Sequence, residues 1–487
     1  MPVTDYEIII GLEVHVELKT VSKLFCNCAT KFGAPPNSQV CPVCLGLPGT
    51  LPVLNEQALD YAILAGLALN CRIADFSRFD RKQYFYPDLP KAYQITQSDL
   101  PLCRDGWIDI PAEERVGKVK RVGIIRVHLE EEAGKTVHSG GGILNSHYAL
   151  LDYNRCGIPL IEIVSAPELR SPREARSYLE RLKTLLHYTG VSDCKMEEGS
   201  LRCDANISLR PPGRTELGIP VEIKNMNSFR AVQAALEYEA ARQAQLLDSG
   251  ARLNKETRAW DENRSITVFM RSKEDCSDYR FFPEPDLLPV WVDKARVERL
   301  RHSLPELPEA RRSRYIGQWG LPEEDADLLS SHRELAEFFE AAVAHYGGAA
   351  KTVSNWVKGE LFRMMHQQRV AVSALKLQPA QLAKLLQLID DNLISGKIAK
   401  AVFETMFCSG KDPGVIIKEK GLAQINNIGE LRAVVQKVLK SNQQSVAAYR
   451  SGKEQAFRFL VGRIMKETQG RANPSLVNEL LREELFK

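Results

Sequence analysis

The sequence predicts an α+β fold, a mainly antiparallel sheet domain followed by all-helical units. Two observations carry this. Before residue 293, segments of period-two alternation interleave with helical stretches, and from Leu321 onward nearly every segment reads as helix. The change falls at Lys294 to Ser313, which holds nine charged residues and one β-branched residue, Val297, and so is a poor strand. Pro305 and Pro308 read as a linker. The expected division is 1–293 for the sheet domain, 294–408 for a helical domain and 409–487 for a helical tail.

Composition bounds the function. The chain has 487 residues, 44% hydrophobic and 26% charged, which excludes global disorder and fibrous architecture. Sixty-five Lys and Arg against 62 Asp and Glu leave +3, so nucleic acid would have to meet a local patch and not a chain-wide basic field. No apolar run approaches the ~18 residues of a membrane span. The N-terminus is acidic and runs straight into a strand, unlike a secretory leader. Eleven cysteines, an odd number, then suggest reduced thiols in a cytoplasmic protein.

The first strand is Leu12 to Leu18. Alternation puts Leu12, Val14, Val16 and Leu18 on one face and Glu13, His15 and Glu17 on the other. Cys26-Asn27-Cys28 and Cys41-Pro42-Val43-Cys44 follow. Two close pairs twelve residues apart can give four thiolates to one tetrahedral zinc, with no position left for water, hence a structural site. Four buried free cysteines are the plainer alternative. The other seven, Cys276 among them, have no such spacing.

Asn55 to Asn70 reads as a helix. Val122 to Glu132 reads as a strand in which alternation groups Glu130 with Arg126 and His128; a bend at its end would group Glu131 there instead, and pattern leaves that choice open. Ser171-Pro172-Arg173-Glu174 has the makings of a capping box, and Gly190 ends that helix. In the strand Leu201 to Leu209, Arg202, Asp204 and Asn206 share the outer face. Pro211-Pro212-Gly213 can turn the chain toward Val221 to Lys224, where Glu222 and Lys224 face out. Ser228 to Ser249 is a further helix, closed by Gly250.

For any single strand, a wet sheet face explains the pattern as well. Taken together, however, these faces carry Glu, His, Asp, Asn and Arg where Lys, Thr and Ser would normally stand. Crowded carboxylates repel unless cations bridge them, and magnesium is held through one or two carboxylates plus substrate phosphates. The faces therefore suit a metal nucleotide. A P-loop is excluded: Gly134-Lys135-Thr136 matches the end of that motif, but Leu129 stands where its first glycine belongs.

At these residues the sequence resembles the B subunit of glutamyl/aspartyl-tRNA amidotransferases. The resemblance is carried by Ile10 to Leu18, Phe79 to Lys82, Tyr84 to Asp88, His128 to Lys135, Met196 to Asn206, Glu222 to Asn225, Tyr279 to Asp286 and Ala472-Asn473-Pro474. It implies a cradle related to the glutamine synthetase fold, then a helical domain and a YqeY-like tail. It implies an ATP- and magnesium-dependent ligase that phosphorylates the side-chain carboxylate of mischarged Glu-tRNA(Gln) or Asp-tRNA(Asn). Ammonia from an amidase partner, the A subunit, would then form the amide, with a small C subunit completing a heterotrimer.

Carried over by position, the resemblance makes Glu13, His15, Glu131 and Asp204 magnesium ligands, followed by Glu222 and Glu256. Arg202, Lys224 and Arg258 become phosphate contacts and Asn225 a nucleotide contact. Ion pairing with the same carboxylates is the structural alternative for the three bases. Choosing Glu131 over Glu130 rests on the resemblance only. No amidase or glutaminase signature appears in the chain, in keeping with an ammonia-supplying partner. From Arg450 to the end, eight Lys and Arg stand against five Asp and Glu, and Lys453, Arg458, Arg463, Lys466 and Arg471 are the expected tRNA-backbone contacts. A free-standing carboxylate-amine ligase would not need this tail; a zinc-stabilised tRNA-binding scaffold would not need the loaded faces.

Overall fold

A computed structural model describes residues 6–113, 119–139, 146–272, 279–422, 425, 427–468 and 471–486; Cys276 lies outside them. The chain divides into two compact units, Met1–Leu307 and Pro308–Lys487.

The first unit is built on a nine-stranded sheet among the described residues. Its order from one edge is Ile266–Ser272, Glu256–Asp261, Val221–Lys224, Leu201–Arg210, Glu7–Glu17, Pro159–Ser165, Val119–Glu131, Cys103–Pro111 and Arg72–Ile73. Every neighbouring pair is antiparallel except Val221–Lys224 with Glu256–Asp261. The expected α+β class is therefore the one observed.

Alternation fixes which face is dry. Leu12, Val14, Val16 and Leu18 are buried together with Leu201, Cys203, Ala205 and Ile207. The helices Glu56–Ala68, Pro172–Thr189 and Phe229–Asp248 close this side, contributing Leu59, Ile63, Leu179, Leu182, Val232 and Leu236 to one core. Burying an aliphatic side chain of this size stabilises by about 1.5–3 kcal/mol, so a one-residue slip of a central strand is heavily penalised.

The helix ends follow their sequence cues. Ser171 Oγ accepts from the Glu174 amide at 3.0 Å, and Gly190 closes the helix at φ 74°. Glu174 does not complete a capping box on Ser171; its carboxylate accepts the Arg170 amide one residue earlier, at 2.7 Å. The helix Lys294–Ser303 lies beyond the expected division at 293, yet Leu300 joins the first unit's core.

The second unit is helical and holds, among the described residues, two separate hydrophobic clusters. One, including Tyr315, Phe339, Leu361, Phe403 and Ile416, extends past the expected division at 408. The other, with Leu431, Val435, Leu460, Ile464 and Leu481, belongs to the last helices. Among the described residues no helix is long and apolar enough to cross a membrane.

Candidate functional site

The face of the sheet opposite those three helices carries the charge. Antiparallel register sets His15 beside Arg202 and Glu13 beside Asp204 on one flank, and His15 beside Glu162 on the other. Glu162 in turn faces His128, and Asn206 faces Glu222. Five neighbouring strands thus bring acidic groups, two imidazoles and two bases onto one wall.

His15, Glu130 and Glu162 form the tightest group. His15 Nε2 lies 3.5 Å from Glu130 Oε1 and 3.4 Å from Glu162 Oε2, and one ligand atom from each of the three falls within 4.8 Å of the others. His128, 3% exposed, stands 3.8 Å from Glu130 and 3.6 Å from Glu162. Burial works against the His15 imidazolium, but its hydrogen bond to Glu162 and the charge of Glu130 outweigh that and raise it to about 9. Burial alone would also raise both carboxyls; His128 beside Glu130 and His15 beside Glu162 hold them below the usual range. Once its proton is displaced, the His15 imidazole together with the two carboxylates suits a divalent cation at this spacing, and hard cations favour the oxygen-rich majority of the set.

A second acidic group adjoins it. Glu13 accepts from Asn206 Nδ2 at 3.0 Å, and burial together with Glu162, Glu222 and Asp204 raises its carboxyl. Lys224 pairs with Asp204 and lies 3.5 Å from Glu222, while Thr257 donates to Glu222 at 2.8 Å. Arg202 pairs with Glu132. Burial and the charge of Glu132 lift Glu17, on the same face, to about 7. Like charges so close call for cations, and Lys224 and Arg202 supply only part of the compensation. The wall opens into a cleft lined by His15, Lys82, Tyr84, Glu130, Arg202, Lys224 and Asn225, of about 400 Å³, within the ~300–1,000 Å³ typical of ligand sites. Asn225 ends its strand at φ 63°, a left-handed conformation that asparagine tolerates.

Three expected site residues stand elsewhere. Glu131 points to the opposite side of its strand, where it pairs with Lys91 and accepts the Ile95 amide at 3.0 Å. It lines a separate pocket with Lys23, Cys44, Tyr93 and Gly157. Glu130 is the glutamate beside His15, as alternation alone groups it.

Glu256 and Arg258 are likewise on the helix-covered face. Arg258 contacts Glu256 at 3.0 Å, Thr267 Oγ1 at 2.8 Å and the fully buried Glu239 of helix Phe229–Asp248 at 3.6 Å; Arg242 also holds Glu256, at 2.9 Å. The physical reason is pleat parity: Glu256 and Arg258 pair with Val221 and Ile223, which face the core, and share that side with Trp260. Sequence reasoning missed Glu162, Glu132, Lys82 and Tyr84, and gave no role to His128, which alternation groups with Glu130. A signal for Glu162 exists, since Pro159–Ser165 alternates Ile161 and Ile163 against Glu162.

Cys26, Cys28, Cys41 and Cys44 offer sulfurs within 4.8 Å of one another. At Zn–S distances of ~2.3 Å a tetrahedron has edges of roughly 3.8 Å, so the set fits zinc. A hydrogen bond from the Cys26 thiol lowers Cys44 to about 4, helped by the buried Lys23 ammonium 3.5 Å away, and the same bond pushes Cys26 up. In the tail, Lys453 precedes the helix Glu454–Glu467, which carries Arg458, Arg463 and Lys466 on an exposed stripe. Arg471 is apart from them, donating to the Thr468 and Gly421 carbonyls at 3.4 Å each.

Fold and site together define a class: an α+β protein whose sheet presents a cluster of carboxylates and imidazoles to an open cleft. A family model described as the GatB/GatE catalytic domain matches residues 8–298, and one described as the GatB domain matches 337–485. Three relatives, each named as the B subunit of an aspartyl/glutamyl-tRNA(Asn/Gln) amidotransferase, are similar over the full length. That of Carboxydothermus hydrogenoformans is 58% identical over 99% of both chains. Those of Caldanaerobacter subterraneus subsp. tengcongensis and Geobacillus kaustophilus are 56% and 54% identical, over 99% of this chain and 100% of each relative. The chain belongs to this family, the B subunits of the tRNA-dependent amidotransferases.

Proposed function

We propose that this subunit activates the side-chain carboxylate of a mischarged aminoacyl-tRNA, Glu-tRNA(Gln) or Asp-tRNA(Asn), by phosphorylation from ATP. One observation carries the reading: His15, Glu130 and Glu162 converge at 3.4–3.5 Å on a wall that also holds Lys224 and Arg202 and faces a cleft. A carboxylate is a poor acyl donor until one oxygen becomes part of a phosphate leaving group. Catalysing that transfer calls for positioned positive charge more than for a protein nucleophile.

Magnesium would be held by His15, Glu130 and Glu162, with Glu13, Asp204 and Glu222 adjoining, and when bound it would neutralise phosphate oxygens. Lys224 and Arg202 meet the remaining negative charge of the transferring group. Asn225 contributes a polar edge to the same cleft. The γ-phosphoryl group moves from ATP to the carboxylate oxygen, releasing ADP. Ammonia then attacks the acyl carbon, phosphate leaves with the C–O bond, and the nitrogen loses a proton to give the amide.

Ammonia would come from an amidase partner within a heterotrimer that a small third subunit completes, located in the cytoplasm. Support for a partner comes from the relatives' designation as one subunit of an amidotransferase and from the lack of any glutaminase signature. Zinc on the four cysteines would be structural, since four thiolates leave no open position. Lys453, Arg458, Arg463, Lys466 and Arg471 would approach tRNA phosphates.

The test is ATP hydrolysis by the purified complex with Glu-tRNA(Gln) against uncharged tRNA. Stimulation by the charged form alone is expected. Equal rates with both would refute carboxylate activation.

A further inference from the structure

An aromatic rim borders the cleft, and no role described so far uses it. Tyr84 lines the cleft; its ring centroid lies 6.0 Å from Tyr86 and 6.0 Å from Tyr279, and Tyr279 lies 5.9 Å from Phe281. Tyr86 is 57% and Phe281 44% exposed, and the neighbouring Phe85 is 82% exposed. Lys82, which also lines the cleft, holds its ammonium 5.8 Å from the Tyr84 ring and 5.1 Å from the Tyr279 ring, with no ion pair to a carboxylate among the described residues.

The backbone behind these rings is fixed. Gln83 donates its amide to the Tyr279 carbonyl at 3.0 Å, and Phe282 pairs in strand register with Arg81. Arg81 makes a two-pronged bond to the buried Glu284, 2.8 Å on each arm. A contiguous aromatic set, half-buried at Tyr84 and Tyr279 and exposed at Tyr86 and Phe281, is costly to leave in water and marks a binding surface. Aromatic faces beside a cation are the recurring means of gripping unpaired nucleotides, the rings stacking on bases and the cation meeting the backbone.

We propose that this rim stacks the unpaired 3′-terminal bases of the aminoacyl-tRNA and so guides the charged end into the cleft. The inference rests on the function proposed above. The carboxylate to be activated hangs from the last nucleotide, so the strand carrying it must pass the cleft's edge. Tyr84 and Lys82 make the rim continuous with the wall that holds His15 and Glu130. The chemistry recognised is a nucleobase, which the adenine of ATP also offers.

The test uses the full complex carrying Tyr86→Ala or Phe281→Ala, with Tyr86→Phe and Phe281→Tyr as conservative controls and thermal melting as a check of folding. Loss of one stack is expected to raise KM for Glu-tRNA(Gln) on the order of tenfold. KM for ATP should stay put, and the conservative variants should restore binding. In direct binding, the wild-type to alanine ratio should fall to about one when uncharged tRNA lacks its last three nucleotides. A rise in KM for ATP in place of tRNA would assign the rim to adenine and overturn the proposal. So would unchanged values for both substrates, or a ratio that survives truncation. The binding comparison needs no turnover, so it separates failure of the rim from failure of the carboxylate-activation reading.

Discussion

Glu130→Gln and Glu131→Gln should have opposite phenotypes, although the two residues are adjacent and identical. Glu130 is 2% exposed and shares His15 and His128 with Glu162, so water cannot easily replace its oxygen in a cation site. Loss of groups that merely support a metal ligand costs about 10–100-fold in metal affinity. Removing an inner carboxylate should cost at least the upper figure, roughly 2.7 kcal/mol or two decades. Glu131 instead neutralises Lys91, whose side chain is 9% exposed. Breaking a buried pair from one side costs about 3–5 kcal/mol, which for a unit of this size lowers the melting temperature on the order of 10 °C. The assay is charged-tRNA-dependent ATP hydrolysis against magnesium concentration, with thermal melting alongside. Glu130→Gln should shift half-saturation about 100-fold, with a smaller change in melting because Glu162 still pairs His15 and His128. Glu131→Gln should melt lower and leave half-saturation alone. The reverse pattern would refute the assignment of faces on the strand Val119–Glu131.

His15→Ala or Glu13→Ala should abolish tRNA-stimulated ATP hydrolysis while tRNA affinity, measured by filter binding, survives; normal turnover in both would remove the site assignment. Arg258→Ala should leave the magnesium curve unmoved but cost about 1–2 kcal/mol of stability in denaturant titration, because it removes one base from buried Glu239 while Arg242 still holds it at 2.7 Å. Metal analysis should find one zinc per chain, and Cys44→Ser should lose it and lower the melting temperature; purification without zinc would end that claim. Replacing Arg458, Arg463 and Lys466 together by alanine should reduce the slope of log affinity for tRNA against log salt by about 2–3, and an unchanged slope would show that the stripe is only solvated.

What was legible in the sequence is mostly parity. Alternation alone separated core from site for Leu12 to Leu18, Leu201 to Leu209 and Val221 to Lys224, and it grouped Glu130 with His128. The buried residues fall on those positions. Transfer by resemblance moved the glutamate one place, to Glu131, and so to the other side of the pleat. Glu256 and Arg258 stand on the covered side of their strand by the same parity; Trp260, two residues on, shares it and belongs to the core. Glu162 went unnoticed because one carboxylate in Pro159–Ser165 reads as an interruption in an apolar run until its cross-strand neighbours are known. Pairing partners are non-local information that no window along the chain contains.

Glu130, Glu131 and Glu132 form an unbroken acidic triplet, yet they answer to His15, Lys91 and Arg202 respectively. Three identical side chains therefore hold three appointments, and none can deputise for a neighbour. A single-residue deletion upstream in that strand would preserve composition, charge and hydropathy almost perfectly while reassigning every member of the triplet. Homologues or designed variants aligned one step out of phase here would look conserved and be inactive, so the spacing from His128 to this triplet is a better guide to function than the count of its acids.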